Sequence, residues 1–132
     1  MLQYELIAKT TYKGFDVIVD RRPDDLPLED SFDTEVDENG KPIWDFDKMY
    51  EQLRNGETEW FVLRVRLFVD SLEVGSAFLG GNLYDADRVS DVMTDGVVDD
   101  MLVSAFDEAM QEYEYLQSKI EKFSKLVDSD QE

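Results

Sequence analysis

The segment from residue 59 to residue 69 carries an apolar side chain at every second position, and two arginines fall between them. A period of two is that of a β-strand whose two faces lie in different surroundings. One face carries Arg64 and Arg66 between Val62 and Phe68, and we expect both arginines to pair with carboxylates of the same protein. The other face is wholly apolar and predicts a strand that lies on a core. Its side chains are Phe61, Leu63, Val65, Leu67 and Val69.

Three further segments predict the partner strands of this one. Residues 3–10 and 14–20 read as a hairpin around a turn at residues 11–14, with Tyr4, Leu6 and Ala8 on one side. Residues 72–79 return after a turn at Asp70-Ser71. The glycines and asparagine at residues 80–82 are then expected to close the sheet.

The pattern becomes helical from about residue 97 to residue 127, where apolar side chains recur at spacings of three and four. A helix of that length would run for about 45 Å, which exceeds the width of so small a domain. We therefore expect its last turns to project, to bend or to meet a second subunit. A short helix is predicted near residues 46–54, with Asp45 or Asp47 as N-cap.

These elements predict one α+β domain that spans residues 1–132. It consists of an antiparallel sheet of about four strands, with the long C-terminal helix packed on one face and the short helix near 46–54. The apolar row of residues 61–67 should be buried against Leu102, Phe106 and Ala109. Residues 21–45, which contain Pro23 and Pro27, are expected to form an acidic loop, and residues from about 128 to 132 a frayed tail. Phe32, Ile43 and Trp44 should pin the loop to the body.

The composition argues for a binding protein and against an enzyme. The chain has no cysteine and no histidine, which removes thiolate and imidazole metal sites and the usual general base. Residues 35–40 imitate the start of a calcium loop, but Phe46 stands where such a loop needs a bidentate glutamate. We therefore expect no metal site, no cofactor and no catalytic residue.

The net charge of −19 indicates the class of partner. It far exceeds the magnitude of about 2–8 that suits a small soluble domain, and it would repel nucleic acid and anionic membranes. The N-terminus shows no signal-peptide pattern, and no apolar run is long enough to cross a membrane. The sequence therefore predicts a cytoplasmic protein whose partner is a basic protein.

The acids are concentrated in two stretches of the sequence. Residues 20–47 contain eleven acids and three bases, and residues 85–100 contain six acids and one base. We expect their carboxylates to form one continuous negative face that binds the partner. The candidate partner-binding residues are Asp24, Asp25, Glu29, Asp30, Asp33, Glu35, Asp37, Glu38, Asp87, Asp91, Asp95, Asp99 and Asp100.

Four of these acids recur every fourth residue: Asp87, Asp91, Asp95 and Asp99. On a helix they would form a row spaced by about 6 Å, similar to the spacing of phosphates along one DNA strand. Like charges four residues apart destabilise a helix, so such a row would serve recognition. Two observations favour a plainer interpretation: Gly96 interrupts the stretch, and acids are common at helix N-termini.

The size, the acidity and the absence of histidine and cysteine resemble the small acidic proteins that phages and plasmids use against restriction and CRISPR systems. The resemblance is compositional and rests on no shared motif. In those proteins carboxylates imitate the DNA phosphate backbone. The resemblance implies an inhibitor that occupies the DNA channel of a defence nuclease or another basic DNA-binding protein.

Two alternatives remain open. The first is a partner-specific acidic inhibitor, such as a nuclease immunity protein or an antitoxin, which would add an apolar hot spot at Trp44, Phe46 and Tyr50. The second is a non-inhibitory housekeeping or structural protein of a halophile, in which acidity serves solvation alone. In each case the apolar stripe of the long helix suits either the core or the seam of a homodimer.

Overall fold

The structure, a computed structural model, describes residues 3–130 except residue 33. Four strands form one antiparallel sheet in sequence order, which confirms the predicted α+β class. The strands are β1 (Glu5–Tyr12), β2 (Phe15–Pro23), β3 (Thr58–Val69) and β4 (Leu72–Asp85). The helices are α1 (Phe46–Arg54) and α2 (Val97–Asp130), with short 3-10 helices at Leu28–Asp30 and Val89–Met93.

Both hairpins turn through two residues with positive φ. These are Lys13 and Gly14 between β1 and β2, and Asp70 and Ser71 between β3 and β4. Positive φ at both central residues is the pattern of a type I′ turn, whose twist matches that of the paired strands. Tight turns of this kind fix the register of both hairpins.

The sequence misplaced one side chain of β1. The pairing of β1 with β2 shifts between Leu6 and Ala8, so that Leu6 lies opposite Asp20 and Ala8 lies opposite Val19. Directly opposed residues share a face, and Leu6 and Ala8 therefore lie on opposite faces. The predicted alternation of Tyr4, Leu6 and Ala8 is wrong because the irregularity at Ile7 shifts the period by one.

One face of the sheet, here called the helix face, carries the main core. Phe61, Leu63, Val65 and Leu67 are buried there with Val17 and Val19 of β2. α2 covers them with Leu102, Ala105 and Ala109, and Phe106 packs at the edge of this cluster, as predicted. The 3-10 helix at Val89–Met93 adds Val89 and Val92 to the same core.

Gly75 brings α2 close to β4. A Cβ atom built on Gly75 would lie 2.2 Å from the carbonyl oxygen of Ala105 and 3.1 Å from Cβ of Ala109. The helix can therefore approach the strand this closely only where the strand residue has no side chain.

The opposite face, here called the arginine face, carries a partly buried ion-pair network. Arg64 donates two hydrogen bonds to Asp20, of 2.8 and 2.7 Å, and Arg66 donates one of 3.1 Å to the same carboxylate. The hydrogen bond to Asp20 raises the pKa of Arg64 above its ordinary value. Tyr4 stacks on the Arg64 guanidinium at 3.4 Å. Both arginines are thus paired within the protein, as the sequence predicted.

A second, smaller core covers one end of the arginine face. Trp60 is two residues from Val62 and four from Arg64 along β3, and it shares their face. It is buried with Leu28 and Met49, and Phe46, Tyr50 and Phe32 pack around them. The segment between β2 and α1 therefore lies on the arginine face, whereas α2 lies on the helix face.

Three predicted boundaries need correction. β4 continues past the glycines at residues 80–81, which form a bulge opposite Val62 where the pairing with β3 shifts. The predicted acidic loop at 21–45 begins later, because residues 21–23 belong to β2. α2 also continues through residues 128–130, where the sequence predicted the start of a frayed tail.

Candidate functional site

Residues 24–47, here called the acidic segment, contain ten acids and a single base, Lys41. Its first residue fastens the segment to the sheet. The Asp24 backbone amide donates to the Trp60 carbonyl, and the Asp24 carboxylate accepts from the amides of Leu26 and Gly81 at 2.9 and 2.8 Å. Asp24, predicted to bind a partner, thus has a structural role at the β4 bulge.

Two aromatic side chains hold residues 26–29 of the acidic segment. The Trp60 indole donates to the Leu26 carbonyl at 2.8 Å. The Tyr50 hydroxyl accepts from the Leu28 amide and donates to the Glu29 carboxylate, each at 3.1 Å. The segment is consequently held in a defined conformation although most of its residues are exposed.

Most predicted acids of this segment point to solvent. Asp25, Asp30 and Glu38 are exposed, and no ion pair or hydrogen bond of their side chains is found in the described part of the chain. Asp37 accepts from the amides of Asn39 and Lys41 at 2.8 and 3.0 Å and so shapes its own turn. Glu35 is exposed, and Asp33 lies outside the described residues.

The three predicted apolar anchors separate into two groups. Trp44 is 41% exposed and stacks on Phe32 with ring centroids 4.9 Å apart. Phe46 and Tyr50 are half-buried and belong to the second core. Trp44 is the most exposed of the three, because Phe46 and Tyr50, which are one turn apart on α1, pack on the second core.

Sequence reasoning missed most of the exposed apolar surface in this segment. Leu26, Val36 and Ile43 are each 55–57% exposed. The prediction that Ile43 pins the segment to the body is therefore wrong, whereas Phe32 does pack on Trp60. A pairing of Val36 with Pro42 closes a small loop just before Ile43, and no hydrophobic period in the sequence indicates it.

A shallow groove of about 500 Å³ lies beside Trp44. Lys41, Pro42 and Phe46 line it together with Asp45 and Asp47. Asp45 also caps α1, accepting from the Lys48 amide at 3.1 Å, as predicted for the N-cap. The groove combines apolar walls with two carboxylates, which suits the stem and head of a basic side chain.

The second acidic stretch does not form the predicted helical row. Asp87 lies in a turn, Asp91 lies in the 3-10 helix, and Asp95 lies in the turn before α2. Of these four acids, only Asp99 lies within α2. Gly96 interrupts the stretch with a φ of +98°. The regular spacing of about 6 Å that a helix would give is therefore absent.

Several acids of this stretch have local structural roles. Asp95 accepts from the Val97 amide at 3.1 Å and from the Tyr84 hydroxyl. Asp91 pairs with Arg88 at 3.6 Å. Asp99 and Asp100 lie in the first turn of α2, where the helix dipole favours negative charge. Asp87, Asp99 and Asp100 are exposed.

The two acidic stretches leave the same end of the sheet and diverge onto opposite faces. The Ala86 amide donates to the Glu57 carbonyl at this end. From there the acidic segment crosses the arginine face, while residues 89–100 lie on the helix face. The expected single negative face is therefore wrong, because each stretch packs its apolar residues on a different core.

The charge of the protein is also dilute compared with that of DNA. The surface of 9364 Å² provides about 490 Å² for each of the 19 net charges, whereas a B-DNA cylinder offers about 110 Å² per charge. A surface that resembles DNA would have to be local, and the acidic segment, with ten acids and one base, carries nine of the 19 net negative charges.

Comparison with protein-family models, curated proteins and solved structures finds no match for this chain. In the part of the chain that the structure describes, no helix has both the length and the apolar character that a membrane span requires. Among the same residues, no three or more acidic side chains lie close enough together to hold a metal ion.

Proposed function

We propose that this chain is a binding protein that inhibits a basic, DNA-handling protein, and that it binds through the acidic segment. One observation carries the proposal: the exposed Trp44 forms an apolar patch with Pro42 and Phe46 that is flanked by Asp45 and Asp47, in a segment where Asp25, Asp30 and Glu38 make no ion pair found among the described residues. Such a patch can provide the buried centre of an interface, with charges at its rim.

The groove beside Trp44 suggests how a partner is held. A lysine or arginine of the partner could lay its stem along Pro42 and Phe46 and place its charge near the Trp44 ring. A cation over an indole contributes about 0.5–2 kcal/mol, depending on desolvation. Asp45 and Asp47 lie at the same groove and favour a cation over a neutral side chain.

This arrangement favours a partner-specific inhibitor over a mimic built from both acidic stretches. A mimic of a DNA duplex needs one continuous array of charges, and the two stretches lie on opposite faces of the sheet. The inhibitor needs only one dense acidic surface with an apolar centre. The rim carboxylates would chiefly raise the rate of association.

The test begins by capturing a basic protein from a cell lysate on the immobilised chain and eluting it with salt. The purified partner is then titrated with two triple variants that remove the same charge. Asp25→Asn, Asp30→Asn and Glu38→Gln together should raise Kd by about 100-fold, because each charged contact contributes on the order of 1 kcal/mol. Asp87→Asn, Asp99→Asn and Asp100→Asn together should raise it less than about threefold.

Two further measurements sharpen this test. Trp44→Ala should raise Kd by at least about 30-fold, as expected for a hot-spot residue. Duplex DNA should displace the chain from its partner if the chain occupies a DNA-binding surface. Equal losses for the two triple variants, or a ternary complex with DNA, would contradict the proposal.

A further inference from the structure

The second half of α2 leaves the sheet with an apolar stripe that no other described residue of the chain covers. All residues from 111 to 129 are exposed, although α2 is continuous to Asp130. The stripe, here called the tail stripe, has side chains that are 39–68% exposed and alternate at spacings of four and three. It consists of Tyr113, Leu116, Ile120, Phe123 and Val127.

This spacing is that of a helix that pairs with another helix. Apolar residues that repeat twice in every seven form the seam of a coiled coil. The tail stripe also continues the side of α2 that holds Leu102 and Ala109, which are buried on the sheet. The apolar side of α2 therefore extends about 30 Å beyond the part that its own sheet can cover.

An apolar groove lies where α2 leaves the sheet. It has a volume of about 490 Å³. The hairpin ends contribute Phe15, Val69 and Val74, and α2 contributes Met110, Tyr113 and Leu116. The groove thus begins at the sheet and opens directly onto the tail stripe.

The total surface indicates that a substantial area lacks a partner. The chain exposes 9364 Å², whereas a compact monomer of 15.3 kDa exposes about 7,100 Å². The difference of about 2,200 Å² is comparable to the total area of about 1,200–2,000 Å² that a standard protein interface buries.

We propose that the tail of α2 pairs in antiparallel orientation with the same tail of a second copy of this chain. The end of each helix then fills the groove of the other. With Leu116 opposite the second copy's Ile120, Tyr113 lies opposite the second copy's Phe123. The same register brings the second copy's Val127 to the groove at Val69 and Val74.

The charge pattern along α2 favours a second copy in this orientation. Residues 107–114 carry four acids and no base, whereas residues 119–125 carry three lysines and one glutamate, a net charge of +2. Antiparallel pairing places each acidic stretch beside a basic one. Parallel pairing would align lysines with lysines and would bring two bodies of high negative charge side by side.

The area is sufficient for a stable pair. Aromatic side chains bury about 150–250 Å² each, and at the observed exposures the tail stripe and the groove would lose roughly 700 Å² per copy. A standard interface buries about 800 Å² per partner.

The pairing surface is remote from the acidic segment, which lies at the opposite end of the sheet. This inference therefore does not rest on the proposed function.

The first test is the mass in solution at about 100 µM, which is well above a micromolar Kd. Light scattering should give twice the 15.3 kDa of one chain. Phe123→Ser should return the protein to a monomer, because it removes the stripe residue that is most exposed. Tyr115→Ser is the matched control, since Tyr115 is 57% exposed but lies off the stripe, and it should leave the dimer intact.

The second test is the orientation of the helices. The chain has no cysteine, so Ser129→Cys provides a single site for a spin label. Antiparallel tails should place the two labels about 33 Å apart, whereas parallel tails would place them within about 15 Å. A monomer at 100 µM would mean that the tail stripe binds a different protein instead of a second copy of this chain. That result, a dimer that survives Phe123→Ser, or a short label distance would each overturn the proposal.

Discussion

Asp95 joins two elements through its two carboxylate oxygens. One oxygen accepts from the Val97 amide at the start of α2, and the other accepts from the Tyr84 hydroxyl on β4. Partial burial of the Tyr84 phenol, together with this hydrogen bond, raises the pKa of Tyr84 to about 12. Both contacts favour the neutral phenol, since a phenolate would be poorly solvated there and would repel Asp95.

The raised pKa predicts how the contribution of Tyr84 depends on pH. An unfolded tyrosine loses its proton near pH 10, whereas folded Tyr84 keeps it until about pH 12. Its stabilising contribution is therefore complete below about pH 10 and is lost as the pH rises towards 12. The free energies of unfolding of the parent protein and of Tyr84→Phe, measured in denaturant, should converge over this interval.

The exposed position Tyr115→Phe controls for the loss of a hydroxyl in this measurement. A difference between the parent protein and Tyr84→Phe that stays constant from pH 9 to pH 12 would contradict the assignment. It would mean that the hydrogen bond to Asp95 contributes equally with and without the phenolic proton.

Sequence reasoning placed some single side chains correctly and others wrongly for identifiable reasons. Alternation along β3 was enough to place Arg64 and Arg66 on one face and to predict internal partners. It could not identify Asp20 as that partner, because the register between β2 and β3 decides which residues are opposed. Trp44 and Ile43 are neighbours that the sequence could not tell apart as pins of the segment, and only the packing of Phe32 determines that Trp44 is the stacked one.

Element boundaries were predictable where the hydrophobic period is strong and failed at glycines. β3 and α2 have long regular periods, and their positions were predicted to within a few residues. Glycines at 80–81 suggested the end of a strand, but β4 accommodates them as a bulge and continues to Asp85. A glycine pair indicates a local change of backbone geometry without deciding whether pairing resumes beyond it.

The contact between α2 and β4 provides a prediction at this scale. Gly75→Ala should destabilise the fold by about 3 kcal/mol, because the new Cβ would press on backbone that cannot move without displacing α2. Gly80→Ala is the control and should cost less, since its Cβ would lie 3.1 Å from a carboxylate oxygen of Asp24, whereas the Cβ at Gly75 would lie 2.2 Å from a backbone oxygen. Denaturant unfolding measures both variants, and equal losses would show that the approach of α2 is not the limiting contact.

At the scale of the whole molecule, the sequence predicted the layers but not the distribution of charge. The class and the order of elements follow from hydrophobic periods and short turns. Which face each acidic stretch covers depends on the residues that anchor it: Leu28, which packs on Trp60 of β3, holds one stretch, and Val89 and Val92 hold the other. Such anchors are single apolar residues in irregular segments, where no period indicates a direction.

The net charge of −19 predicts that salt stabilises the whole protein. Six ion pairs are found among the described residues, too few to balance 32 acids, so repulsion persists, above all within the acidic segment. Raising the salt from about 0.01 M to 0.5 M shortens the Debye length from about 30 Å to less than about 8 Å. Tm should therefore rise over this range when it is followed by circular dichroism at one protein concentration.

The triple variant of Asp25, Asp30 and Glu38 identifies the source of this effect. Removing three uncompensated carboxylates from the acidic segment should raise Tm at low salt, because it relieves the repulsion that salt otherwise screens. The same variant should then gain less from added salt than the parent protein does. A Tm that stays flat or falls with salt in the parent protein would mean that its carboxylates are already compensated, for example by bound cations. In that case the acidic segment would have to release those cations before it could bind a basic partner.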